Sequence, residues 1–140
     1  MKKAKLYVGC ALKNAPREFI DGVLAMRERL KADPRLEIIE FLGPGLPQDV
    51  YRRDIHECVE TSDLMLAICD LPSLGLGYEM ATHVKHHKRP LLALAREGAV
   101  VSGLIEGIHG EGPFVFRRYR DISDVPDMVS SWLDENPSFL

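Results

Sequence analysis

The stretch Asp70-Leu71-Pro72-Ser73-Leu74-Gly75-Leu76-Gly77-Tyr78-Glu79 holds the densest chemistry in the chain. Gly75 and Gly77 let the backbone bend tightly and come close to a ligand. The amides of Ser73 to Gly77 would point outward at a helix start, where unpaired N–H groups and the helix dipole favour an anion. The Ser73 hydroxyl would add a hydrogen bond to a phosphate or sugar oxygen. The pattern is only part of a G-x-G-x-x-G, since Met80 stands where a third glycine would. No G-K-[ST] follows, which excludes a nucleoside-triphosphate loop. The same residues also read as a plain helix N-cap at Ser73 with turn glycines.

Glu79 falls in the first turn of the expected helix. A carboxylate there is favourable simply as a charge beside the dipole. Facing a cleft, it is also a nucleophile for an N-glycosidic bond, able to stabilise an oxocarbenium-like transition state and then hold a glycosyl ester. Such chemistry needs a second acid to protonate the leaving base and activate water. Asp54 and Asp63 flank the preceding helix and strand. On local rules Asp63 is a turn residue and Asp54 a solvated helical charge.

Other chemistry-bearing residues read as structural. His83 and His87 are four apart on one helix, but no third ligand is evident and nothing resembles H-E-x-x-H, so no metal is expected. Cys10, Cys58 and Cys69 are scattered with no C-x-x-C, and Cys69 sits in an apolar run as a core thiol. Arg117-Arg118-Tyr119-Arg120 reads as a solvated strand end.

These residues must be positioned by alternating elements. Lys5–Cys10, Leu36–Leu42, Leu64–Cys69, Leu91–Ala95 and Phe114–Tyr119 are short apolar runs expected as strands. Arg17–Lys31 is helical, with Phe19, Ile20, Val23, Leu24, Arg27 and Leu30 at three- and four-residue spacing, and Asp33-Pro34 ends it. Residues 43–47 are a Gly/Pro loop. Helices are expected at Gln48–Ser62, with Val50, Ile55 and Val59 inward, and at Gly77–His87, Val100–Glu106 and Val125–Leu133. Five strands alternating with helices predict one domain over 1–140, an α/β three-layer doubly wound parallel sheet. Ligands then bind beyond the carboxyl ends of the strands, at the loops after Cys10, Cys69 and Ala95.

The chain has 140 residues, 46% hydrophobic and 28% charged, which suits a globular domain and excludes disorder. No apolar run approaches a membrane span, and the N-terminal run is too short for a signal peptide. A net charge of −3 is no footprint for nucleic acid. The expected setting is cytoplasmic.

The segment Pro72–Glu79 resembles the PSLGVGYE signature of 2′-deoxynucleoside 5′-phosphate N-hydrolases, a branch of the nucleoside 2-deoxyribosyltransferase family. Leu6–Lys13 is similar to the family's first strand and loop. Asp63–Ala67 is similar to its Asp-led apolar strand, and Ser102–Gly107 to its S-x-x-I-x-G segment. The resemblance implies Glu79 as nucleophile, Tyr7 as the group that orients it, and Asp54 as the nearest candidate for acid/base. It implies a 5′-phosphate held by Ser73 with the amides around Gly75 and Gly77. Lys13 stands at a basic loop position. Ser102 would reach the phosphate from a neighbouring subunit, hence a homodimer or higher homo-oligomer. Deoxyribosyltransferases tend to carry Asp where Ser73 stands, so Ser73 favours a monophosphate. No cofactor is implied.

Two departures from the family pattern stand out. The family's second catalytic Asp lies eight residues before the strand-leading Asp, which here is Ile55. Asp54 lies nine before, about 100° away on a regular helix. The first loop, Cys10-Ala11-Leu12-Lys13-Asn14, lacks the family's glycines. Three functions follow: a nucleoside monophosphate N-hydrolase, a deoxyribosyltransferase on free nucleosides, or a nucleotide-binding module without catalysis.

Overall fold

A computed structural model describes residues 2–40 and 44–140. Five strands form one parallel sheet: β1 (Ala4–Cys10), β2 (Leu36–Glu40), β3 (Leu64–Ile68), β4 (Leu91–Arg96) and β5 (Phe114–Tyr119). Their order is β2-β1-β3-β4-β5. The chain steps outward from β1 to β2, then returns to the other side of β1. The strand order therefore reverses between β1 and β3, the place where open α/β sheets bind ligands beyond the strand ends.

The α-helices among the described residues are α1 (Arg17–Leu30), α2 (Pro47–Tyr51), α3 (Leu74–Ala81), α4 (Gly103–Glu106) and α5 (Val125–Glu135). One face packs Val23, Met26 and Leu30 of α1 and Val125, Val129, Trp132 and Leu133 of α5 against Leu6, Val8, Leu66 and Leu92. The other packs Leu76 and Met80 of α3 and Ile55, Cys58 and Val59, which follow α2, against Tyr7, Met65, Ala67 and Ala93. Every residue of β3 is buried, as a central parallel strand requires.

The expected architecture holds, with ends moved by a few residues. The expected strand end at Phe41 and Leu42, and Gly43 of the loop, lie outside the described residues. Two helix starts move by three residues: α4 begins at Gly103 rather than Val100, capped by Ser102, and α3 at Leu74 rather than Gly77 because Ser73 caps it, its extended backbone (φ −153°) letting Oγ accept from Leu76 N at 3.1 Å.

The sequence period did not announce a change of winding. α2 runs on as a π-helical segment, Arg52–Val59, and α3 as another, Thr82–His86. In each the chain closes an i→i+5 bond, Glu60 N to Ile55 O at 2.9 Å and His87 N to Thr82 O at 3.2 Å. A π turn takes up an extra residue relative to α winding, and such turns gather at functional sites.

Candidate active site

Tyr7 leaves β1 on the α3 face, and its hydroxyl donates to Glu79 Oε2. Both side chains are buried. Gly9 makes the approach possible. A Cβ there would stand 2.9 Å from Leu76 Cδ1 and 3.2 Å from Met65 Cε, so the ends of both side chains would have to give way for α3 to stay this close to β1. Sequence reasoning missed Gly9, although an isolated glycine inside a strand signals a close approach.

Glu79 sits in the second turn of α3, not the first, once the helix starts at Leu74. Its carboxylate turns to the sheet, 9% exposed, so the surface charge–dipole reading does not describe it. Burial pushes its pKa up to about 7; the Tyr7 hydrogen bond opposes this and the nearby Asp54 charge adds to it. Burial, then the Glu79 charge, drive the Tyr7 phenol upward. Tyr7 therefore keeps its proton and stays a fixed donor.

Asp54 is 8% exposed and close enough to interact electrostatically with Glu79 and Tyr7, so it is not the solvated charge that local rules suggest. The π winding explains this. The residue in excess between Asp54 and Asp63 is taken up by the π turn, and Asp54 stays on the inward face with Ile55, Cys58 and Val59. Burial raises the Asp54 pKa, while the Arg53 guanidinium, Nε 3.2 Å from Oδ1, works the other way. Two buried carboxyl groups of raised proton affinity thus share one site. A second link joins their helices: the Tyr51 and Tyr78 hydroxyls lie 3.0 Å apart.

The start of α3 supplies the anion side. Leu76 N is held by Ser73 Oγ, and Gly77 N bonds Ser73 O at 3.1 Å. The amides of Leu74 and Gly75 have no internal acceptor among the described residues, and the Ser73 hydroxyl proton remains available. Gly77 therefore offers no free amide; a Cβ there would meet nothing within 4 Å.

The remaining expected residues stand apart. Lys13 is exposed on the loop after β1, where Asn14 takes the positive φ of 61° that a glycine would otherwise supply. Ser102 is exposed and caps α4, its Oγ accepting from Leu104 N at 3.2 Å. Neither is joined to Glu79 or Ser73 within the chain by any hydrogen bond among the described residues.

Several residues resolve as structural. Asp63 ties β1 to β3, accepting from Lys5 N at 2.8 Å. Asp70 accepts from the Tyr119 hydroxyl and from Arg96 N at 3.0 Å. A separate cavity of about 290 Å³ opens beside Asp70, lined by Pro16, Phe19, Leu71 and Ile122. His83 is fully buried and donates from Nε2 to Pro90 O at 2.9 Å. No group of three or more His, Cys, Asp or Glu among the described residues could hold a metal. The arginines after Phe116 are not simply solvated: Arg117 pairs with Glu135 at 3.3 Å, Arg120 with Glu97 at 3.5 Å, and Arg118 with Glu106.

These features define a three-layer α/β protein whose buried carboxyl pair and open helix start meet at the strand-order reversal. The chain belongs to the nucleoside 2-deoxyribosyltransferase family, in its 2′-deoxynucleoside 5′-phosphate N-hydrolase branch. It is 32% identical over 80 residues to a 5-hydroxymethyl-dUMP N-hydrolase of Branchiostoma floridae, covering 56% of this chain and 74% of that one. It is 35% identical over 89 residues to a protein of Thermofilum pendens provisionally named 2′-deoxynucleoside 5′-phosphate N-hydrolase 1, covering 62% of this chain. It spans less than two thirds of the first relatives' length, 60% of the Thermofilum protein and 56% of a Nematostella vectensis one. The fold matches that of a CMP N-glycosidase from Clostridium botulinum, with a TM-score of 0.70 at 15% identity over 91% of this chain and 98% of that one. No family model matches the chain. No helix among the described residues is long and apolar enough to cross a membrane.

Proposed function

We propose that this protein hydrolyses the N-glycosidic bond of (2′-deoxy)ribonucleoside 5′-monophosphates, releasing the free base and a sugar 5-phosphate. The observation that carries the reading is Glu79: buried, held by Tyr7, poised near neutrality and paired with a second carboxyl group on the next helix. The names of the relatives point to the same chemistry.

In the reaction, the Glu79 oxygen not held by Tyr7 forms a bond to C1′ as the C1′–N bond breaks. The electron pair leaves with the base, which takes a proton from Asp54. Water then attacks C1′ of the glycosyl ester, giving its proton to Asp54 and freeing Glu79. Both carboxyl groups return to their starting states. A sugar without the electron-withdrawing 2′-hydroxyl reaches the cationic transition state more readily. Ser73 and the Leu74 and Gly75 amides hold the phosphate, with Lys13 adding charge from the first loop.

The active unit is a homodimer in which Ser102 completes the phosphate site of the neighbouring subunit. Three large apolar side chains support this: Leu74 is 96% exposed, Val100 90% and Leu104 86%. A cytoplasmic setting fits three free cysteines.

The test is direct. The protein is incubated with deoxynucleoside monophosphates, 5-hydroxymethyl-dUMP, CMP and the matching nucleosides, and free base is measured. Monophosphates are expected to release base, and Glu79→Gln to lower the rate at least about a thousandfold. Base exchange between free nucleosides would identify a transferase, and no base from any substrate a binding module.

A further inference from the structure

One guanidinium holds the segment that bears Ser102. Arg118, on β5, donates from Nη1 to Ala99 O at 2.6 Å and to Arg96 O at 3.1 Å. Its Nη2 pairs with Glu106 Oε1. Its Cζ lies 5.4 Å from the centre of the Phe116 ring, which fixes the plane of the fork. The partners bracket Ser102: Ala99 lies three residues before it and Glu106 four after.

That bracket is needed because α4 is a single turn of four residues. One turn does not persist in water by itself. Its backbone leans on Ser102, whose carbonyl accepts from Ile105 N at 2.9 Å and Glu106 N at 3.1 Å. Ile105 and Val101 rest on the α3-side core, but Val100, Ser102 and Leu104 stand in the open. The apolar anchors fix the depth of the segment, and Arg118 fixes both of its ends. A lysine has one ammonium and cannot span three acceptors in this plane.

We propose that Arg118 is a positioning residue for phosphate recognition across the dimer, holding the Val100–Glu106 segment so that the Ser102 hydroxyl meets the 5′-phosphate in the partner subunit. The inference rests on the hydrolase reading and on the shared site. It assigns to the strand-end arginine cluster a task that the chemistry at Glu79 does not. Since Ser102 touches only the phosphate, loosening it weakens monophosphate binding and leaves the reaction at C1′ intact.

The experiment compares the wild-type dimer with Arg118→Lys, Arg118→Ala and the milder Glu106→Gln. KM and kcat are read on a cleaved monophosphate, alongside the cleavage rate of the matching nucleoside. The expected result is a KM for the monophosphate raised about tenfold by the Arg118 variants, as for one lost charged-group hydrogen bond. The rise is smaller for Glu106→Gln, while kcat and nucleoside cleavage stay near wild type. In a second arm, Glu79→Ala and Arg118→Ala are denatured together and refolded at equal concentration. Random pairing leaves one intact composite site in each mixed dimer, so low-substrate activity returns toward about a quarter of wild type. An unchanged KM, an equal loss on nucleoside, or no gain on mixing would overturn the proposal. If the wild-type protein releases base from no monophosphate, it is the hydrolase reading that falls.

Discussion

Tyr7 and Asp54 pull the proton affinity of Glu79 in opposite directions. The Tyr7 hydrogen bond favours the ionised carboxylate and the Asp54 charge opposes it. The reactive state has Asp54 protonated and Glu79 ionised, so kcat/KM should show a falling limb where Asp54 loses its proton and a rising limb, through about 7, where Glu79 ionises. Tyr7→Phe removes the donor, raises the Glu79 pKa further and moves the rising limb to higher pH. Asp54→Asn removes the repelling charge and moves it to lower pH, while the loss of acid and base lowers the rate about 10²- to 10⁴-fold. A pH profile of base release for the three proteins checks both signs; limbs displaced the same way would break the assignment. Ser73 as a helix-start cap was legible in the sequence, whereas Glu79 read equally as a charge beside the helix dipole, and its burial against the sheet was not legible. The Tyr7 contact came from the resemblance alone, since a tyrosine in an apolar strand reads as core.

Winding decides whether the second carboxyl group reaches the site. Period counting treats Gln48–Ser62 as one regular helix and turns Asp54 outward, whereas the π-helical Arg52–Val59 brings it back. An eight-residue offset is beyond what apolar spacing resolves, because Ile55, Cys58 and Val59 suit either winding. Deleting Glu57, an exposed residue whose side chain pairs with Arg52, should convert the segment to α winding with Asp54 eight residues before the strand-leading Asp63. The lost surface pair is worth at most about 1 kcal/mol, so activity should stay within about fivefold. A deletion variant with native circular dichroism but no base release would show that the extra turn does not compensate the offset. The start of α3 went the other way: Ser73 as a cap was legible, yet the two glycines looked like a turn and lie inside the helix.

Across the whole molecule, two buried groups set opposing pH slopes on stability. Burial depresses the His83 pKa to about 4 from a usual 6.5, so its contribution is lost as pH falls through that window. Glu79 is raised to about 7 from 4.5, so its contribution is lost as pH rises through that window. Where the windows overlap, between about pH 4.5 and 6.5, the slopes cancel, and urea unfolding should give a nearly flat stability. Glu79→Gln removes one slope, so the variant should gain stability as pH rises and exceed wild type at pH 8 by on the order of 3 kcal/mol. A variant that tracks wild type at every pH would contradict this. The parallel sheet and its two-faced core follow from five apolar runs alternating with helices, whereas several strand orders satisfy that alternation. The Arg118 bracket does not follow from it, since four cationic or aromatic residues at a strand end say nothing of carbonyls twenty positions away. The three cysteines have a practical use. Burial raises Cys10 and Cys58 to about 11 and Cys69 to about 12, so their thiolates are scarce at neutral pH. A single thiol engineered onto the open surface would outcompete them for a maleimide dye. The native chain is thus a ready host for fluorescence distance measurements, without stripping its own sulfhydryls.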